Sequence, residues 1–384
     1  MISYFRKYDW LLIVAIFSLC LYGLVMVYSA GMLFGMQSFK SASYFFDKQL
    51  NFFLLSIPFF LLAMTFNYKM YEKVIKPLVI LLIILLLLVL FFGTNINGST
   101  RWLTIPIVNF TFQPSEIAKI IMVMYFASVY AKKQPYIQNF FKGVTPPLLM
   151  LGFVFLLIYR QPDLGTATSI LLACGAILVC SGARVWHMLG LLVGASTLIW
   201  TLANSASYRV KRLTAFRDPF ADAQDTGYQL INSYIAIGEG GLWGRGLGQG
   251  VHKLGYLPEA HTDFILAVIS EELGIVGIIL LFVLYSIFLV RGVRVGLNVS
   301  DPFGKLLAFG ITFQICMQVI FNAGAVSGLL PITGITLPFI SYGGTSLLIT
   351  VASAGILVHL SKHANKAIEA REETQTSWVQ KITS

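Results

Sequence analysis

Residues 256–273 read Y-L-P-E-A-H-T-D-F-I-L-A-V-I-S-E-E-L, a polar segment ending in His261, Thr262 and Asp263 that turns straight into apolar sequence. A carboxylate in or beside hydrocarbon is costly and is usually kept for function. Asp263 stands at the mouth of a helix, where water and a lipid-borne substrate can meet. An acid there with a modestly raised pKa stays ionised yet basic, which suits general-base work. The structural alternative is a helix N-cap, for which Asp is favoured. Glu271 and Glu272 follow within the apolar run. On a helix beginning at Asp263, Glu271 lies ~12 Å deeper and is rotated by ~80°, so a close catalytic pair is not expected. The two glutamates are expected to organise the bundle through hydrogen bonds.

Other polar residues stand where apolar sequence surrounds them. Gln113-Pro114-Ser115-Glu116 has Pro at the first helical position and an acid two residues later, a helix-start signature. Glu116 and Lys119 are three apart and share a face, so they can pair. Arg101 falls in the turn Gly98-Ser99-Thr100-Arg101-Trp102, either facing a ligand or anchoring the interface beside Trp102. Asp163 closes Arg160-Gln161-Pro162-Asp163, which is also readable as a tight turn with a capping Asp. Arg209, Lys211, Arg212 and Arg217 form a basic run suited to phosphates, of lipid headgroups or of a substrate. Pro331, Gly334 and Pro338 punctuate the approach to Ser341-Tyr342-Gly343-Gly344. Such backbone is tolerated at membrane depth only when buried in protein or lining a wet cavity; a plain surface loop is the alternative.

The elements that carry these residues are membrane helices. Of 384 residues, 57% are hydrophobic and 11% charged, with mean hydropathy +0.78; a soluble domain carries roughly 25% charged residues. Apolar runs near the ~20 residues that cross hydrocarbon recur at 10–30, 52–66, 77–93, 114–131, 144–159, 165–182, 186–203, 264–290, 304–326 and 341–361. The expected fold is all-α and polytopic, with about ten transmembrane helices. Arg6 and Lys7 precede a run longer than a signal-peptide core and no small-residue cleavage site stands out, so no cleaved signal is expected. Cys20, Cys174, Cys180 and Cys316 lie in apolar segments with no metal-binding spacing and are expected to be small buried side chains.

Lys and Arg fall unevenly between alternate connections, roughly 16 against roughly 4. This bias puts both termini in the cytoplasm and makes the +10 balance a membrane-topology signal rather than a nucleic-acid surface. Arg101, Gln113, Arg160, Asp163, Asp263 and Ser341 then share the outer side and predict one polar cavity opening outward. The long connection 204–263 is expected to form an extracytoplasmic loop with re-entrant or interfacial helices, and 363–384 a cytoplasmic tail. Within the loop, Tyr228, Ile231, Tyr234 and Ile235 lie on one helical face, suggesting a short helix at the membrane surface.

Arg160-Gln161-Pro162-Asp163-Leu164-Gly165-Thr166, Gln113-Pro114-Ser115-Glu116, the stretch Tyr256–Glu272 and Pro338-Phe339-Ile340-Ser341-Tyr342-Gly343-Gly344 together resemble the signatures of the SEDS (shape, elongation, division and sporulation) family. The likeness spans about residues 8 to 362. Asp218-Pro219-Phe220, Gly227-Tyr228-Gln229-Leu230 and Leu257-Pro258-Glu259-Ala260-His261 look more like its division branch, FtsW-type, than its elongation branch, RodA-type.

The resemblance implies a lipid II polymerase at the outer face of the bacterial cytoplasmic membrane. Such an enzyme joins disaccharide-pentapeptide units carried on undecaprenyl pyrophosphate into β-1,4 glycan strands. By similarity, Asp263 is the base that takes the acceptor proton, in an inverting displacement that needs no covalent intermediate. Arg101 and Lys119, with Arg212 or Arg217 behind them, are candidates to stabilise the pyrophosphate. Gln113, Glu116, Gln161, Asp163, Glu259, His261 and Ser341 are expected around the substrate. No metal ligands are assigned, and divalent-cation assistance is left open. The implied partners are lipid II, a class B penicillin-binding protein (a transpeptidase), other division or elongation proteins and membrane lipid. A lipid II transporter remains an alternative, predicting polar residues through the bilayer midplane and internal repeats. A non-catalytic scaffold for a transpeptidase is the third reading.

Overall fold

The computed structural model describes residues 8–96, 99–105 and 110–383; Arg6, Lys7 and Gly98 lie outside the described residues. Helices occupy all ten expected positions: α1 (Trp10–Phe39), α2 (Tyr44–Thr65), α3 (Tyr68–Phe92), α4 (Pro114–Lys132), α5 (Thr145–Arg160), α6 (Leu164–Cys180), α7 (Val185–Ala203), α10 (Ile265–Asn298), α11 (Pro302–Val326) and α12 (Gly344–Thr383). Between α7 and α10 lie α8 (Ser207–Arg217) and α9 (Tyr228–Gly240). Among the described residues, eight spans are long and apolar enough to cross a membrane; α6 is shorter at 17 residues, and α4 carries Glu116 and Lys119. The all-α expectation needs one addition, a three-stranded antiparallel sheet β1 (Thr94–Ile96), β2 (Ser99–Ile105) and β3 (Phe110–Phe112). Arg101 therefore sits on a strand, not in a turn.

Several helix starts follow from local chemistry. The side chains of Asp9, Asp163 and Asp301 accept the backbone N–H groups of Leu12, Thr166 and Gly304, and Pro114 and Pro302 take the first turns of their helices. Asp9 also pairs with Arg291 at 2.6 Å, while its backbone N–H donates to Ser361, tying α1, α10 and α12 together. α12 packs along α2 and runs on as helix through residue 383, so the expected tail from residue 363 continues the last span. α7 buries none of its residues. The four cysteines are free, two of them buried.

α10 is broken near its start. Gly274 has φ 63° and ψ −160°, and its neighbours trade helical hydrogen bonds for bonds to a glycine-rich strap. The carbonyls of Glu271 and Glu272 accept Arg245 and Gly246 N–H, while Ile275 and Val276 N–H donate to Gly241 and Leu242 carbonyls. These four groups thus find partners outside the helix, as non-helical backbone at depth requires. A Cβ at Gly274 would stand 2.4 Å from Gly244 N, and one at Gly244 2.1 Å from the Glu272 carbonyl oxygen. Gly274→Ala is therefore expected to cost more than about 3 kcal/mol, from backbone strain plus displacement of the strap. Thermal unfolding in detergent checks this; an unchanged melting point would refute it.

α9 stands where the short surface helix was expected, and the stripe read from the sequence is not the face it packs into the bundle. Tyr228, Ile231 and Tyr234 are half-exposed and Ile235 is exposed; Leu230, Asn232, Ser233, Ala236 and Gly240 are the buried residues. Small side chains let this face approach α10 closely, so that a Cβ at Gly240 would collide with the Ser270 carbonyl at 1.9 Å. The larger stripe points away.

Candidate active site

Three connections meet at one end of the bundle: 161–163, the segment 256–264 before α10, and 327–343 before α12. Ser341 Oγ donates to the Thr262 carbonyl at 2.6 Å and accepts Leu337 N–H, while Tyr342 N–H donates to the His261 carbonyl. Gln49 Nε2 donates to the Ser341 carbonyl. Ile335, Leu337, Phe339, Ile340 and Ser341 are buried. This is the protein-buried irregular backbone expected of a re-entrant segment, not a surface loop.

Asp263 sits in this junction. It is not the N-cap of α10; Phe264 holds that position, without a side-chain cap bond. Asn322 on α11 donates Nδ2–H to the carbonyls of both Asp263 (2.7 Å) and Ile335 (2.8 Å), clamping the two segments together. Among the described residues, no hydrogen bond reaches the Asp263 carboxylate. Its Oδ2 lies 3.4 Å from where a Gly334 Cβ would stand. Burial, first, and then the neighbouring Glu259 push its pKa up to about 7, with Arg212 and Arg101 opposing and Asp163 adding to the rise. The side chain keeps partial exposure, so an acid poised near neutrality remains open to a ligand.

Arg101 bridges to the neighbouring corner. Its guanidinium donates to the carbonyls of Gln161 and Pro162 and lies 3.9 Å from Asp163 Oδ1. Gln113 donates to Asp163 Oδ2 at 3.1 Å. Asp163 is both the cap expected of it and a charge partner. Arg212, exposed on α8, reaches the Ile332 carbonyl at 3.4 Å. Glu259 takes a left-handed backbone with φ 54° and accepts Thr262 Oγ1–H at 2.6 Å.

Four other predicted residues are engaged elsewhere. Gln161 is fully buried and donates to the Leu86 carbonyl. His261 lies among Phe34, Phe45 and Tyr342, and burial lowers its pKa against the opposing influence of Glu259, so a neutral aromatic ring packs there. Lys119 pairs with Glu116 at 2.6 Å and donates to Gln318 at 2.8 Å, deep between α4 and α11. It is not among the charges that act on Asp263. The cations that oppose the rise in the Asp263 pKa are Arg212 and Arg101.

A second charged cluster lies behind the site. Glu272 accepts Ser29 Oγ–H, Gly248 N–H and the ammonium of Lys253. Glu271 accepts Val251 N–H and faces His252 Nδ1 at 3.2 Å. The two acids thus pin the strap, the organising role expected of them. Glu239, His252 and Glu271 bring ligand-type atoms within 4.8 Å of one another; Arg245 meets the same Glu239 carboxylate oxygen that faces His252, at 2.9 Å. Their positions form no metal-spacing pattern in the chain.

Sequence reasoning missed the amides of α11. Gln314, Gln318 and Asn322 recur every four residues in a mostly apolar helix, a polar stripe at helical spacing that was visible in the sequence.

The chain resembles known proteins along most of its length. The FtsW, RodA and SpoVE profile, described as a cell cycle protein, matches residues 9–366. A Bacillus subtilis protein named probable peptidoglycan glycosyltransferase FtsW is 40% identical over 369 residues, spanning 93% of this chain and 91% of its own. Stage V sporulation protein E of the same organism is also 40% identical, over 359 residues, spanning 93% and 97%. The crystal structure of Thermus thermophilus rod shape determining protein RodA superposes with TM-score 0.69 at 26% identity, covering 92% of this chain and 96% of that one. A chain from a structure described as "structural coordination of polymerization and crosslinking by a peptidoglycan synthase complex" gives TM-score 0.75 at 25% identity, covering 93% and 98%.

Proposed function

This chain belongs to the FtsW, RodA and SpoVE family, and from that premise we infer that it is a peptidoglycan glycosyltransferase of the cytoplasmic membrane, polymerising lipid II for cell division. The observation that carries the reading is Asp263: clamped through its main chain by Asn322, free of side-chain hydrogen bonds among the described residues, and within electrostatic reach of Arg101 and Arg212.

In the proposed reaction an acceptor sugar hydroxyl attacks the anomeric carbon of the donor. Asp263 takes the hydroxyl proton, the new β-1,4 bond forms, and undecaprenyl pyrophosphate departs with the bonding pair. One base suffices because the displacement inverts the centre once. Preorganised cations stabilise charge developing on the leaving group. Arg101 and Arg212 fit that role, being the cations that lower the Asp263 pKa; Lys119 is held by Glu116 and Gln318 deeper in the bundle and is not assigned it. The topology inferred from Lys and Arg supports an extracytoplasmic site formed with the loop 204–263, and cytoplasmic termini. A class B penicillin-binding protein is the proposed partner, supported by the likeness to a chain of a peptidoglycan synthase complex.

Purified protein given lipid II, with and without that partner, tests the activity. Glycan strands are expected. Lipid II translocation in vesicles without strand formation would instead favour a transporter.

The pH profile tests the base. Its active form is ionised, so activity is expected to rise with pH through a midpoint of about 7. Glu259 raises this pKa and Arg212 lowers it. Glu259→Gln should therefore move the limb to lower pH and Arg212→Ala to higher pH. A limb unmoved by both would count against the assignment.

A further inference from the structure

The α11 amides lead from Asp263 into the bundle. Asn322 clamps the Asp263 main chain; four residues earlier, Gln318 accepts Lys119 Nζ–H and donates to the Gln314 carbonyl at 3.2 Å. Four residues earlier again, the Gln314 side chain is 5% exposed, yet neither its Nε2 nor its Oε1 has a partner. Buried side-chain polar atoms nearly always have one, in protein or ordered water.

Gln314 lines a cavity between α4, α11 and α12, together with Lys119, Gln318, Thr350 and Ser353. The space open to the centre of a water molecule is about 20 Å³, and one water needs roughly 10–15 Å³ and two to four polar partners. Those partners are present. Glu116 and Gln318 take two of the three Lys119 N–H groups, leaving one over. Ser353 donates its hydroxyl hydrogen to the Ile349 carbonyl, so its oxygen still has lone pairs to accept with.

We propose that one ordered water fills this cavity and bridges the third N–H of Lys119 to the Gln314 amide, making Gln314 a positioning residue for the Glu116–Lys119–Gln318 unit. That unit sits one helical turn from the clamp on Asp263, and the kinetic part of the proposal rests on the polymerase reading above.

Two substitutions separate this role from packing. Gln314→Leu keeps the volume and removes the hydrogen-bonding groups. Gln314→Ala makes room for a second water where the amide was. If water holds Lys119, the Ala variant should keep kcat within about threefold of wild type and the Leu variant should lose about tenfold or more, with KM little changed in either. A packing role gives the reverse order, because volume-conserving changes are tolerated better than cavities, and that order would overturn the proposal. A density map of the wild-type protein fine enough to show ordered water should have a peak between Lys119 and Gln314. A dry cavity overturns the proposal whatever the kinetics. If the wild type makes no strands from lipid II, the polymerase reading fails separately and the map alone decides the water.

Discussion

Asp263→Asn is expected to polymerise lipid II roughly 10²–10⁴-fold more slowly than wild type, the usual worth of a positioned general base. Asn keeps the shape of the side chain and the backbone carbonyl held by Asn322, so only proton acceptance is removed. The fold should survive. No hydrogen bond to the carboxylate is lost among the described residues, and burial disfavours the ionised acid in any case. Thermal unfolding should therefore match wild type while activity collapses, and the limb near pH 7 should vanish from the residual rate. A variant retaining more than about a tenth of wild-type activity would end the base assignment, because that loss is too small for general-base catalysis.

The largest expected stability effect lies at Lys253. Its ammonium is buried against Glu272, whose carboxylate is fully buried. Lys253→Met leaves that carboxylate with Ser29 Oγ–H and Gly248 N–H but no cation. Breaking a buried ion pair from one side costs roughly 3–5 kcal/mol, mostly the desolvation of the charge left behind. Adding Glu272→Leu should return much of the loss, since an apolar replacement of both partners is often close to neutral. Thermal melting of the two single variants and the double variant measures the coupling. Strict additivity would mean that the pair contributes nothing. Because Lys253 and Glu272 anchor the segment that leads to Glu259 and Asp263, loss of activity should accompany loss of stability.

The spanning helices were legible because hydrophobic length is written locally. Their ends were less so. α1 runs to Phe39 rather than residue 30, and α10 to Asn298 rather than residue 290, since interfacial residues such as Phe39 and Arg291 extend a helix without resembling a lipid-facing run. The sheet around Arg101 went unseen because its pairing is cross-strand, Thr94 with Trp102 and Leu103 with Phe112, and short strands leave little periodic trace. The face that α9 packs into the bundle was not legible, because it is built largely of small residues rather than a large apolar stripe. In this bundle small residues make the close contacts, as at membrane helix interfaces generally.

The acids of the site were readable individually, as charges set in apolar sequence. Their division of labour was not. Whether Lys119 or Arg212 faces Asp263 depends on how α4, α8 and α11 are arranged, which no local spacing encodes. Gln161 and Ser341 stood out for the same reason as Asp163, yet the structure gives Gln161 to the Leu86 carbonyl and Ser341 to the Thr262 carbonyl.

The interruption at Gly274 divides α10 into unequal mechanical parts. Residues 265–273 make up only about 13 Å of helix, and they hang from the strap through the carbonyls of Glu271 and Glu272. The trunk below, from Ile275 to Asn298, is anchored at its far end through Arg291 and Asp9. The strap also takes the N–H groups of Ile275 and Val276 from the trunk, so it joins the two parts, while Asn322 on α11 holds Asp263 at the top.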